Sequence, residues 1–218
     1  MANELYPVFL KVHQFDTLIV GGGEVGLEKL TFLLRSSPNA RVTLVGKEIK
    51  AEIKTLAADH PSVTLIERPY FHEDLTEMQV AIIATENHKL NKEIRDEAKS
   101  RGLLVNVADT PDLCDFYLGS IVTKGDLKIG ISTNGKSPTV AKRMRELLTD
   151  VLPEEIDELL QNLRAIRDQL QGDFGAKVQK LNHLTEDLIA NRQSDDPCPR
   201  GCPFGLHSPI TENERDHS

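Results

Sequence analysis

Cysteine is scarce in this chain of 218 residues: three are present, an odd number, and none pair at zinc-finger spacing. A secreted disulfide framework is thereby excluded, and a reducing cytoplasm is the expected compartment. No apolar run approaches the ~18 residues of a membrane span, which excludes an integral membrane protein. Met1 to Leu10 lacks the basic start and long apolar core of a secretory signal. Tryptophan is missing and aromatics make up 5%, yet 39% of residues are hydrophobic. That length and composition suffice for one or two domains with a core needing neither disulfides nor a structural metal.

An excess of positive charge is also lacking. Lys plus Arg number 26 against 34 Asp plus Glu, a net of −8, which argues against nucleic acid as a partner. The total conceals a split. Residues 1–150 carry 19 basic and 21 acidic side chains, and residues 151–218 carry 7 and 13. No acid falls between Asp126 and Glu146, whereas Lys128, Lys136, Lys142, Arg143 and Arg145 all do. An acidic protein thus contains a locally cationic stretch.

Strand and helix patterns alternate through residue 107. Short apolar or β-branched runs at Asp16 to Val20, Arg41 to Val45, Val63 to Glu67, Val80 to Ala84 and Leu103 to Val107 read as strands. Helical patterns follow Gly23, run from Ile49 to Ala58, and run from Asn91 to Arg101. This alternation predicts an α/β fold with a Rossmann-type parallel sheet covered by helices on both faces. After Asp109 the pattern changes. Leu118 to Thr123 and Leu127 to Ser132, joined by Lys124-Gly125-Asp126, predict a hairpin. Helices are expected over Ser137 to Leu148, Pro153 to Leu170 and Ala176 to Ala190, the last two with Leu and Ile at packing spacing. From about Ser194 the chain is rich in Pro, Gly and charge, and a disordered tail is expected.

Gly21-Gly22-Gly23-Glu24-Val25-Gly26 satisfies G-x-G-x-x-G directly between a strand and a helix. Gly21 makes the tight turn, Gly23 admits a pyrophosphate to the backbone, and Gly26 lets helix and strand pack closely. The free N–H groups of the helix start attract the negative charge. An acid that binds ribose is expected about 20 residues on. Glu48 there suits the ribose hydroxyls and favours NAD, whereas the adjacent Lys47 suits a 2′-phosphate. Thr85 ends the fourth strand at the edge where cofactor and substrate meet, and an ordinary strand-ending Thr fits equally well.

A second candidate site combines Asp109, at the end of the fifth strand, with the loop Ile131-Ser132-Thr133-Asn134-Gly135-Lys136-Ser137-Pro138. Ser137-Pro138 fits an N-cap followed by the first helical residue, so backbone donors again face an open anion site. Lys142, Arg143 and Arg145 lie on the next turns. A well-capped surface helix with solvated charges is the plainer alternative.

Taken together, Gly-Gly-Gly-Glu-Val-Gly, Ala84-Thr85 with Asn91, Asn106-Val107-Ala108-Asp109, Leu113-Cys114-Asp115-Phe116 and Ser-Thr-Asn-Gly-Lys-Ser-Pro resemble the precorrin-2 dehydrogenase/sirohydrochlorin ferrochelatase family. The same family forms the N-terminal half of siroheme synthases, and the resemblance runs from about Tyr6 to Ala190. It implies an NAD-binding Rossmann domain at residues 1–113, a dimerisation and substrate-binding region at 114–150, a helical domain at 151–192 and a tail at 193–218. It further implies a homodimer that oxidises precorrin-2 to sirohydrochlorin with NAD, with ferrous iron insertion in some members. Asp109 matches the family's important aspartate and would take a proton during either step. Glu24, Val25, Lys47 and Glu48 match cofactor contacts. Ser132, Thr133, Asn134, Gly135, Lys136, Ser137, Lys142 and Arg143 would hold the polycarboxylate tetrapyrrole.

Three departures stand out. Gly26-Leu27-Glu28-Lys29 replaces the family's Ala-x-Arg-Lys, reversing one charge near the cofactor helix. Thr133-Asn134 replaces a frequent Ser-Gly, and no methyltransferase pattern follows. Cys198, Cys202 and His207 supply three ligands but no closed tetrahedral site, so no resident metal is expected. Cys114 reads as buried rather than reactive. The non-enzymatic alternative is an NAD(H)-sensing Rossmann module whose helices dock a partner; such a sensor needs only the glycine turn.

Overall fold

Asp16–Val20 forms the central strand β1, four of its five residues buried. It precedes α1 (Glu24–Ser36), β2 (Arg41–Gly46), α2 (Ala51–Ala58), β3 (Val63–Glu67), β4 (Val80–Ile83), α3 (His88–Ser100) and β5 (Leu104–Val107). The five strands pair in the order β3-β2-β1-β4-β5, all parallel. This is the Rossmann-type sheet expected from the sequence. The order reverses between β1 and β4, which opens a crevice at the carboxyl ends of those strands. These are features of a computed structural model that describes residues 3–169 and 174–185.

Burial explains the near-continuous apolar strands. Leu18, Val20, Ala81, Ile83, Val105 and Val107 join Ile94 and Ala98 of α3 on one face. Ile19, Val42, Leu44, Val80 and Ile82 join Leu30, Leu33 and Leu34 of α1 and Ile53 of α2 on the other. Side chains alternate across a sheet covered on both sides. Each fully buried Leu or Ile contributes about 1.5–3 kcal/mol relative to an exposed one.

Beyond the sheet, β6 (Ser120–Lys124) and β7 (Leu127–Ile131) form the antiparallel hairpin, closed by Gly125-Asp126 between the paired Lys124 and Leu127. Gly125 takes φ +52°, and a Cβ there would meet the Asp157 carboxylate at 1.9 Å. The Asp126 N–H donates to that carboxylate at 2.7 Å, and Lys124 Nζ donates to Leu152 O at 2.6 Å. Then come α4 (Pro138–Val151), α5 (Ile156–Gln169) and α6 (Phe174–Leu184). The chain divides into one unit of residues 1–159 and a second from residue 160 onward. No helix among the described residues is long and apolar enough to cross a membrane.

Several boundaries differ from the sequence pattern for local reasons. α3 starts at His88 rather than Asn91, because the Asn87 side chain caps it by accepting from Leu90 N at 3.1 Å. α2 starts at Ala51 rather than Ile49: Ile49 N donates to Glu67, and Lys50 N donates to Gly22 O, holding both residues outside the helix. β6 begins two residues later than Leu118, and α5 begins at Ile156 rather than Pro153. The expected tail, with Cys198, Cys202 and His207, lies outside the described residues.

Candidate functional site

The strand register gathers the first group of residues. Val20 pairs with both Val45 and Ile83, and Ile83 pairs with Val107. Gly21, Ala84 and Ala108, which follow their strands, and Gly46, which ends β2, therefore lie at one level. Hydrogen bonds continue the ladder one step further: Gly21 N to Val45 O, Ala84 N to Val20 O, and Ala108 N to Ile83 O, at 2.8 to 2.9 Å.

At this edge there is no room for side chains on the glycines. A Cβ on Gly22 would lie 2.1 Å from Glu48 O, and one on Gly26 would lie 2.0 Å from Gly21 O. Gly26 thus presses α1 against the turn, where no side chain fits. Gly23 differs, with nothing within 4 Å of its Cβ position. It is the N-cap of α1 and supplies no side-chain cap, so the first-turn N–H groups stay available to a ligand. Clear space over free donors at a helix start fits a pyrophosphate.

Charged groups frame that opening. Glu24, the first residue of α1, pairs with Lys50, and Lys50 also lies 3.7 Å from Glu52. The Glu24 hydrogen bond raises the Lys50 pKa and keeps it cationic. A carboxylate at the helix start is therefore balanced by a lysine that sequence spacing did not single out. Lys47 and Glu48 are exposed, and neither side chain has a hydrogen-bond or ion-pair partner among the described residues. Glu67, at the end of β3, accepts from Ile49 N at 3.0 Å and Lys54 at 2.8 Å.

Thr85 occupies a built position. Its hydroxyl donates to Asn91 Oδ1, and Asn91 Nδ2 returns a bond to Thr85 O at 2.8 Å. Asn91 is 4% exposed, so this amide fastens the loop after β4 to the first turn of α3. Asp109 lies two residues past the end of β5, exposed, with φ +56°. The turn carrying it is closed by Thr110 N donating to Val107 O at 3.3 Å.

The Ser132 to Ser137 loop belongs to the hairpin and α4. Its hydrogen bonds run within the loop and to the first turn of α4. Asn134 and Gly135 both have positive φ, +53° and +73°, and Lys136 N donates to Thr133 O at 3.1 Å. These are the demands of a type I′ turn, which Asn-Gly meets. Ser137 caps α4 by accepting from Val140 N at 3.2 Å, and Thr133 Oγ1 accepts from Ser137 N at 3.1 Å.

The five basic residues of the cationic stretch do not share one set of neighbours. Lys128 donates to Ser36 O at the end of α1, and Arg143 pairs with Glu146 at 3.0 Å. Arg145 lines a cavity of about 600 Å³ between α1, β6 and α4, away from the glycine turn. Lys136 and Lys142 are exposed without a partner among the described residues.

Comparison with known proteins agrees with this geometry. The family model NAD_binding_7, described as NAD(P)-binding, matches residues 8–120, and a second, described as Sirohaem biosynthesis protein central, matches residues 124–150. A siroheme synthase of Nitrosomonas europaea is 33% identical over 168 residues, covering 77% of this chain and 35% of that protein. One from Psychrobacter cryohalolentis is 35% identical over 176 residues, covering 81% and 32%. The chain thus spans about a third of the length of these relatives. Among solved structures, SirC, precorrin-2 dehydrogenase, superposes with a TM-score of 0.69 at 24% identity, covering 86% of this chain and 95% of that one. It shares the fold.

Proposed function

Because the chain belongs to the NAD(P)-binding family matched over residues 8–120, we propose that it oxidises precorrin-2 to sirohydrochlorin with NAD in siroheme biosynthesis. The observation that carries this reading is Asp109, held in a turn immediately beside the strand ends that form the glycine cradle. Siroheme synthase relatives and the fold shared with SirC, precorrin-2 dehydrogenase, support the same substrate.

In this reading Gly21, Gly23, Glu24, Val25 and Gly26 hold the pyrophosphate, while Lys47, Glu48 and Thr85 border the rest of the dinucleotide. Glu48 selects NAD by accepting from the ribose hydroxyls and repelling a 2′-phosphate. NAD, when bound, supplies the hydride acceptor. Asp109 takes the proton that leaves the macrocycle as the hydride departs. Ser132, Thr133, Asn134, Gly135 and Ser137 shape the substrate loop, and Lys136, Lys142 and Arg143 attract the macrocycle's carboxylates. Residues 1–113 are assigned to the cofactor, 114–150 to dimerisation and substrate, and 151–192 to a helical domain. The working form is a homodimer, and ferrous iron is a candidate second substrate, since Asp109 could also receive a pyrrole proton.

An anaerobic incubation of precorrin-2 with the protein and NAD tests the proposal. Sirohydrochlorin absorbance should develop, and ferrous iron added afterwards should convert it to siroheme if the second activity is present. Folded, NAD-binding protein that produces no sirohydrochlorin would leave the cofactor site as a sensor and overturn the enzyme reading.

A further inference from the structure

The chain that follows Asp109 turns back along the open edge of β5 and is fastened there largely by side chains. Asp115 N donates to Val105 O at 2.8 Å, and Val105 N donates to the Asp115 carboxylate at 2.9 Å. Asn106 Nδ2 donates to Phe116 O at 2.8 Å. Leu113 and Cys114 pack against the α3 side of the sheet, whereas Phe116 packs against the α1 side, so the segment wraps the edge.

Within this wrap Cys114 holds the last residue of β5 by both backbone groups. Val107 N donates to Sγ at 3.2 Å, and Sγ lies 3.2 Å from Val107 O and 3.4 Å from Thr110 O. Val107 O is also the acceptor that closes the turn through Thr110 N. That turn places Asp109, a residue with a Cβ, in the left-handed region at φ +56°. Asp visits this region more readily than most residues with a Cβ, and the hydrogen bonds from Thr110 N to Val107 O and from the Thr110 hydroxyl to Ala108 O hold it there.

We propose that Cys114 is a positioning residue for Asp109, its thiol clasping Val107 so that the left-handed turn presents the carboxylate at the strand-end crevice. The proposal rests on the reading of Asp109 as the proton acceptor. Burial pushes the Cys114 thiol up, so the S–H remains available to a carbonyl at neutral pH. Serine preserves a donor and an acceptor at the same place, and alanine removes both.

The test compares Cys114→Ala and Cys114→Ser in the full chain, each with and without Asp109→Asn. Cys114→Ala should lower kcat for precorrin-2 oxidation at least about tenfold while KM and the NAD Kd stay within about twofold. Its Val107 amide should exchange faster with solvent, and Cys114→Ser should recover most of both properties. Combined with Asp109→Asn, Cys114→Ala should cause no further loss of the residual rate. Wild-type kcat in Cys114→Ala, or the same fold-loss in both backgrounds, overturns the positioning role. Asp109→Asn with full turnover instead removes the base assignment itself, and the Val107 exchange then still decides whether the clasp exists.

Discussion

A Cβ on Gly21 would stand 2.2 Å from the carbonyl oxygen of Ala84. The turn after β1 and the strand end of β4 are therefore in backbone contact at the point where the strand order reverses. Gly21 also has φ +128°, open to glycine and strained for other residues. Gly21→Ala should cost about 1–3 kcal/mol of stability and weaken NAD binding by at least about tenfold. Calorimetric titration with NAD checks the second effect, and unchanged affinity would remove the turn from the cofactor site.

Charge reversal separates two lysine and arginine roles in the proposed substrate loop. Lys136 is unpaired among the described residues, whereas Arg143 is engaged by Glu146. Lys136→Glu should raise KM for precorrin-2 by about tenfold and Arg143→Glu by less, since an exposed pair is worth only ~0.2–1 kcal/mol. Steady-state kinetics should show NAD affinity unchanged in both. Equal KM in Lys136→Glu and wild type would take this lysine out of the substrate site.

Asn134 occupies the first left-handed position of its turn. Asn134→Gly should be tolerated within about 0.5 kcal/mol, and Asn134→Val should destabilise the loop by about 1–2 kcal/mol. Thermal unfolding measures the stability difference, and KM for precorrin-2 should rise in the valine variant alone. A valine variant as stable as wild type would contradict the turn assignment.

One acid-sensitive element lies away from the site. Arg68 donates to both oxygens of Asp74, at 2.8 and 2.6 Å, and the Phe71 N–H donates as well. The Arg68 hydrogen bonds, with the Phe71 amide, hold the Asp74 pKa below the ordinary carboxylate range. A carboxylate lowered on folding stabilises the protein above its unfolded value of about 3.9, and that contribution fades as pH falls through the folded value. Asp74→Asn should lower Tm at neutral pH and flatten its decline below about pH 4. Parallel acid-limb slopes in variant and wild type would refute the linkage.

What could be read from the sequence depended on range. β1, the glycine turn and the start of α1 are contiguous, and their chemistry is written in adjacent letters. Ser137 capping α4 is equally local. Lys50 beside Glu24 and Glu67 beneath Ile49 are brought together by sheet order, which periodicity does not encode. The sequence reads Cys114 as buried, whereas it is half-buried, and its hold on Val107 arises from a chain reversal seven residues long. The cationic stretch looked like one surface because charges were counted along the chain. In three dimensions Lys128 and Arg145 turn to other neighbours.

The central claim is that this chain moves a hydride from precorrin-2 to NAD with Asp109 as the proton acceptor. Its most direct test is the anaerobic ratio of NADH formed to sirohydrochlorin produced, for wild type and Asp109→Ala. The account predicts one NADH per sirohydrochlorin in wild type, and loss of both products in Asp109→Ala with NAD binding retained. Sirohydrochlorin formed without matching NADH, or undiminished turnover in Asp109→Ala, would contradict it.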